Sequence, residues 1–73
     1  MSHLPVISAR ECADALMRIG FRWSRQRGSH IILIRDAPTA MVAVPDHKEL
    51  DRGTLRAIIR QAGLGVDEFL ALL

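Results

Sequence analysis

Gly28-Ser29-His30 runs directly into the apolar stretch Ile31-Ile32-Leu33-Ile34. This puts an imidazole at the first position of a hydrophobic strand, entered through a tight Gly-Ser turn. A side chain beside a turn reaches solvent from a rigid support, and histidine is the side chain suited to move protons near neutral pH. A second histidine, His47, follows another apolar stretch, Met41-Val42-Ala43-Val44. If the two stretches pair through a turn centred near Pro38 and Thr39, paired residue numbers sum to about 77, with a slip of one or two. Residue 30 then faces residue 47 or its neighbour, and directly opposed residues hold their Cβ atoms roughly 4.5–5.5 Å apart.

Two histidines at one end of a sheet, next to cationic residues, suit metal-free cleavage of RNA. One takes the proton of the ribose 2′-hydroxyl, the other protonates the departing 5′-oxygen, and arginines stabilise charge on the phosphorane. RNA carries its own nucleophile, so this chemistry calls for no cofactor. By this layout Arg25, Arg27 and Lys48 are the nearest cations, and Ser29 and the backbone of the Gly28 turn can donate to phosphate. No carboxylate or thiol stands at a metal-ligand spacing from the histidines, so no metal is expected. His3 reads as idle. Cys12, on an apolar helical stripe, reads as core packing. Trp23 could stack on a base, but with Phe21 two residues before it, it reads as core.

The charge distribution points to the same class of partner. The net charge is only +2, yet nine of the ten cationic residues are arginine, whose planar fork suits phosphate. Arg10, Arg18, Arg22, Arg25, Arg27 and Arg35 crowd the first half against Glu11, Asp14 and Asp36, while Asp67 and Glu68 mark the far end. That is the footprint of a polyanion-binding surface. Seventy-three residues that are 49% hydrophobic make one packed domain, 1–73, rather than a disordered chain. A lone cysteine fits a reducing compartment. The start Met1-Ser2-His3-Leu4-Pro5 lacks the blocks of a signal peptide, and no apolar run nears the roughly 20 residues of a membrane helix. The expected location is the cytoplasm, away from membranes.

The elements that must position these residues follow from spacing. Ser8 caps a helix whose stripe includes Cys12, Leu16 and Ile19, stopped by Gly20. Residues 21–27 read as a half-buried strand, 31–34 as a second and 41–44 as a third. Asp51 caps a helix with Leu55, Ile58, Ile59 and Ala62 on one face and Gly63 at its end. A short helix spans Val66 to Leu72. The expected fold is α+β: a three-stranded antiparallel sheet with helices on one face and a short C-terminal helix. Residues 31–34 are apolar on both faces, so the face away from the helices is expected to meet a partner.

Gly28-Ser29-His30, Val44-Pro45-Asp46-His47 and Gly53-Thr54-Leu55-Arg56-Ala57-Ile58, in this order and spacing, resemble the HicA toxins of bacterial and archaeal toxin–antitoxin pairs. The similarity runs from Leu4-Pro5-Val6-Ile7-Ser8 to Val66-Asp67-Glu68-Phe69-Leu70. It implies a double-stranded-RNA-binding-like α-β-β-β-α fold and metal-independent endonucleolytic cleavage of messenger RNA. It also implies His30 as the catalytic residue and a HicB-type antitoxin over the active surface. The family's second histidine motif falls on His47, in a catalytic or a structural role. Two residues depart from the pattern. Asp46 places a negative charge where phosphate would be held, and Gly65 replaces the hydroxyl residue that caps the last helix, which should loosen it. Two other classes stay open: a double-stranded-RNA-binding-like module that does not cut, and an interaction protein that assembles through its apolar sheet face.

Overall fold

The computed structural model describes residues 3–73. Met1 and Ser2, part of the expected 1–73 domain and of the stretch read for a signal peptide, lie outside the described residues. The first helix, α1, spans Ala9–Met17. Its cap is reciprocal: the Glu11 N–H donates to Ser8 Oγ, and the Ser8 N–H donates to Glu11 Oε1, both at 3.0 Å. Ala9, Cys12, Ala13, Ala15 and Leu16 form its buried stripe. Gly20, at φ +97°, turns the chain away, in a conformation that costs little only for glycine.

Three antiparallel strands follow, β1 (Arg22–Arg27), β2 (His30–Asp36) and β3 (Thr39–Pro45), in the spatial order β1-β2-β3. The second long helix, α2 (Arg52–Gln61), and a single turn, α3 (Val66–Leu70), complete the expected α+β order. Along the central strand, Ile31 and Leu33 are buried together with Val42 and Val44 of β3, Leu16 of α1, Leu55, Ile58 and Ile59 of α2, and Phe69 of α3. One parity of the sheet therefore faces both helices, and the other is left open.

β1 departs from expectation. It is exposed along its whole length rather than half-buried. Phe21 enters the core just before the strand, but Trp23 is 37% exposed and lies under the Arg10 guanidinium, 5.4 Å from the ring centroid. β1 is an edge strand, and a register shift between Trp23 and Arg25 sets which face its second half takes. Trp23 pairs with Leu33 and Arg25 with Ile32, so two residues of β1 span one step of β2. Phe21, Trp23, Arg25 and Arg27 share one parity in the sequence, and an unbroken strand would aim all four at the helices. The extra residue sends Arg25 and Arg27 to the open face instead.

The β2–β3 register also differs. Asp36 pairs with Thr39, so the turn is Ala37-Pro38 and paired numbers sum to 75. Thr39 Oγ1 donates to the Asp36 carbonyl at 3.0 Å and Arg35 Nε to the Pro38 carbonyl at 2.9 Å, which closes the turn there. Arg35, expected in the polyanion footprint, works inside the fold. Its guanidinium lies 4.6 Å from the centroid of Phe21, and Nη2 donates to the Ala62 carbonyl at the end of α2. A cation at a helix C-terminus meets the negative end of the dipole.

α2 begins on Asp51, whose carboxylate accepts from the N–H and hydroxyl of Thr54. Those bonds, the hydroxyl first, hold the Asp51 carboxyl below its ordinary range. Leu55, Ile58, Ile59 and Ala62 make the expected buried face, and Gly63 (φ +79°) ends it. α3 stops at Leu70 rather than Leu72. Gly65 gives it no side-chain cap, but Glu68 Oε1 accepts the Gly65 N–H at 2.8 Å and supplies half of a capping box.

Cys12 is fully buried on α1, and burial pushes its thiol up to about 12. Iodoacetamide at pH 8 should therefore leave the native chain unlabelled and alkylate Cys12 only in denaturant. Native-state labelling at the rate of a free thiol, read by mass spectrometry, would contradict this packing.

Candidate active site

The turn end of the β1–β2 hairpin holds most of the sequence-derived candidates. Gly28-Ser29 is a two-residue connection, and Gly28 adopts φ +56° at its first position, as a tight primed turn requires. A Cβ built on Gly28 meets nothing within 4 Å, so the backbone angle, and not crowding, calls for glycine. Beyond the turn, Arg27 pairs with His30, and His30 pairs with Pro45 on the other side. His30 thus stands at the end of the central strand with Arg27 as its cross-strand neighbour. Arg27, His30, Ile32 and Ala43 line a shallow hollow of about 320 Å³ on the open face.

A loop from β3 braces this turn. The Asp46 N–H donates to the Ser29 carbonyl at 2.6 Å. Asp46 Oδ2 accepts from Gln26 Nε2 at 3.1 Å and from Arg10 Nη2 at 3.4 Å, joining β1 and α1 to the loop. Gln26 Nε2 also reaches the Gly28 carbonyl, at 3.4 Å. The next residue is held through its backbone: the His47 N–H donates to the Pro45 carbonyl, and the His47 carbonyl accepts the Ala9 N–H at 2.9 Å. The charge of Asp46, unhelpful for phosphate in the sequence, is here occupied by Arg10 and Gln26.

Among the sequence-derived candidates, the structure brings together Arg27, Gly28, Ser29 and His30, with Arg25 one step along the same face of β1. It does not place His47 opposite His30. Pro45 holds that position, and His47 lies two residues further on, beyond the paired part of β3. The shift follows from the turn. Moving its centre by one residue moves every pairing by two. Neither His47 nor Lys48 lines the hollow. Among the described residues, the side chains of Arg25, Arg27, His30, His47 and Lys48 make no hydrogen bond or ion pair. They are exposed, so water satisfies them and an incoming anion meets donors not already engaged.

Sequence reasoning missed Asp46, Gln26 and Arg10 as braces of the turn. No local signal marks them, because the three meet only after α1, β1 and the loop have packed. It also missed Ile32 and Ala43 as lining of the hollow, which corrected register arithmetic would have placed beside His30. Among the described residues no three His, Cys, Asp or Glu side chains converge.

An imidazole on a rigid strand end, next to a free guanidinium, can exchange a proton while a phosphate is held beside it. Comparison with known proteins gives one family match and no match to a curated protein. Residues 9–64 match a family described as HicA toxin of bacterial toxin-antitoxin.

If Asp46 braces the turn, Asp46→Ala should speed hydrogen exchange at the residue 46 amide, which bonds to Ser29. The cost in urea unfolding should stay below about 1 kcal/mol, because Arg10 is largely exposed and its pairing is screened. Unchanged exchange at that amide would show that the carboxylate does not hold the loop.

Proposed function

The chain belongs to the HicA toxin family of bacterial toxin–antitoxin systems, and we propose that it is a metal-independent endoribonuclease that cleaves messenger RNA through His30. The observation that supports this reading best is the pairing of His30 with Arg27 at the mouth of the Gly28-Ser29 turn, both exposed and without partners among the described residues.

A phosphodiester bound there has its charge against Arg27 and the turn. In the proposed reaction the ribose 2′-oxygen attacks phosphorus as its proton passes to a base. The P–O5′ bond breaks as an acid protonates the leaving 5′-oxygen, and the products are a 2′,3′-cyclic phosphate and a free 5′-hydroxyl. His30 serves as one of these two groups. His47 is the candidate for the other, from the loop that Asp46 holds against Ser29. Arg25, Arg27 and Lys48 supply the positive field, and Ser29 a hydroxyl donor. No helix among the described residues is long and apolar enough to cross a membrane, and we place the activity in the cytoplasm. Membership of a toxin–antitoxin family implies an antitoxin. A HicB-type protein covering the hollow at His30 would silence the toxin by excluding RNA.

His30→Ala should lower cleavage of a labelled transcript in EDTA by about 10²–10⁴-fold, the usual worth of a general acid or base, while RNA binding persists. Equal cleavage by the variant would remove His30 from the mechanism. Tight binding with no cleavage by the native chain would favour the non-cutting RNA-binding module. No RNA affinity even at low salt would favour the interaction protein.

If His30 and His47 share the proton transfers, the pH–rate profile is bell-shaped and His47→Ala makes it one-sided. Retention of both limbs in that variant would assign His47 a structural role only.

A further inference from the structure

The open face of the sheet holds more than the hollow at His30. Three rows cross it from β1 to β3: Arg27–His30–Pro45, Arg25–Ile32–Ala43 and Arg22–Ile34–Met41. The bulge at Trp23–Arg25 creates this arrangement, because without it Arg25 and Arg27 would not share a face with Arg22. One edge of the face is thus a column of guanidinium groups, and the rest is aliphatic apart from His30. No helix covers it. Ile32, at the centre, is nevertheless only 6% exposed, so its neighbours already shield the residue expected to need a partner. The apolar surface still in reach is Met41, 62% exposed, with exposed Ala43 and the half-buried Ile34.

The column is not uniformly charged. Arg22 Nη1 pairs with Asp36 Oδ2 at 2.9 Å, which neutralises the end far from His30. Arg25 and Arg27 have no partner among the described residues. Two residues with unpaired guanidinium groups therefore stand about 6.7 Å apart along the strand backbone and lead to the histidine. That separation suits successive phosphates of an extended single strand, and each arginine presents a fork for one of them.

Resting on the ribonuclease reading above, we infer that this face is the bed of a single-stranded RNA, with phosphates along Arg25 and Arg27 and bases against Ile34 and Met41. A duplex fits it poorly. A-form RNA turns its bases inward and is read by shape and by 2′-hydroxyl and phosphate contacts over roughly 16 base pairs, which leaves an aliphatic surface unmatched. Splayed single-stranded bases cover such a surface, and phosphates one side of them meet the arginines. An acidic protein would satisfy the charges but has no need of a phosphate-length separation between them beside the histidine. Aliphatic side chains offer the bases no hydrogen-bond code, so sequence preference on this face is weak.

The test uses the full chain carrying His30→Ala, which keeps the probe intact, and a labelled RNA of roughly 12 nucleotides, within the usual span of a single-strand site. The single strand should bind at least about tenfold tighter than the same strand in a duplex. Arg25→Ala should lower affinity and reduce the slope of log K against log salt by about 0.7, the value for one phosphate on a single strand. Met41→Glu, on a side chain open to solvent, should weaken binding about tenfold by repelling phosphate and removing apolar contact. Arg56→Ala, on the exposed side of α2 in the other layer, should leave binding unchanged. Tighter binding of the duplex, loss of affinity at Arg56 but not at Met41, or equal competition by polyglutamate would each overturn the inference. The two readings separate cleanly. The expected binding pattern without cleavage by the native chain leaves the RNA bed standing and removes the nuclease. Cleavage slowed by Arg56→Ala but not by Met41→Glu does the reverse.

Discussion

A strand in a sheet packed on helices turns only one parity of its residues towards them, and β1 carries apolar and charged groups on the same parity. Phe21 and Trp23 belong towards the helices, whereas Arg25 and Arg27, two and four residues beyond Trp23, cannot be desolvated there without partners. One extra residue between Trp23 and Arg25 relieves the conflict. It lets Phe21 enter the core and Trp23 meet Arg10, and it delivers two unpaired arginines to the open face beside His30. The charge on that face and the arginine that faces the histidine both depend on this irregularity.

The arginines then divide by position rather than by sequence neighbourhood. Arg18 donates to the Leu72 carbonyl at 2.7 Å and Arg52 to the Leu4 carbonyl at 3.3 Å, tying both ends of the chain to the helical layer. Arg35 joins the Ala37-Pro38 turn to the end of α2 across the Phe21 ring. These contacts matter in a domain of this size, which buries only about 60% of its unfolded surface and has a small core to hold its periphery. Arg25 and Arg27 lie beyond the reach of such acceptors. Their charge therefore remains available to a ligand, and the apparent basic footprint of the first half narrows to a short column at one edge of the sheet.

The site is likewise a product of packing between distant segments. The Gly28-Ser29 turn is local, but its orientation is held by Asp46 from the far side of β3, and Asp46 is held in turn by Arg10 of α1. His47 is anchored through its carbonyl to the first residue of the same helix. A displacement of α1 would thus reach both histidine-bearing segments at once.

Much of the fold was legible because it is set by short-range physics. The Ser8 and Asp51 caps, the apolar stripes of both long helices, the stops at Gly20 and Gly63, and His30 at the head of the central strand follow from periodicity, capping and glycine dihedrals. The order of elements and their antiparallel pairing followed as well. Tertiary structure alone decided which face Arg25 and Arg27 occupy, that Pro45 and not His47 stands opposite His30, and that Arg35 serves the core while Asp46 serves the turn. The physical reason is the two-residue period of a strand. A one-residue bulge or a one-residue shift in a turn reverses a face or moves a pairing by two. Only the packing of the whole sheet against its helices selects between those alternatives.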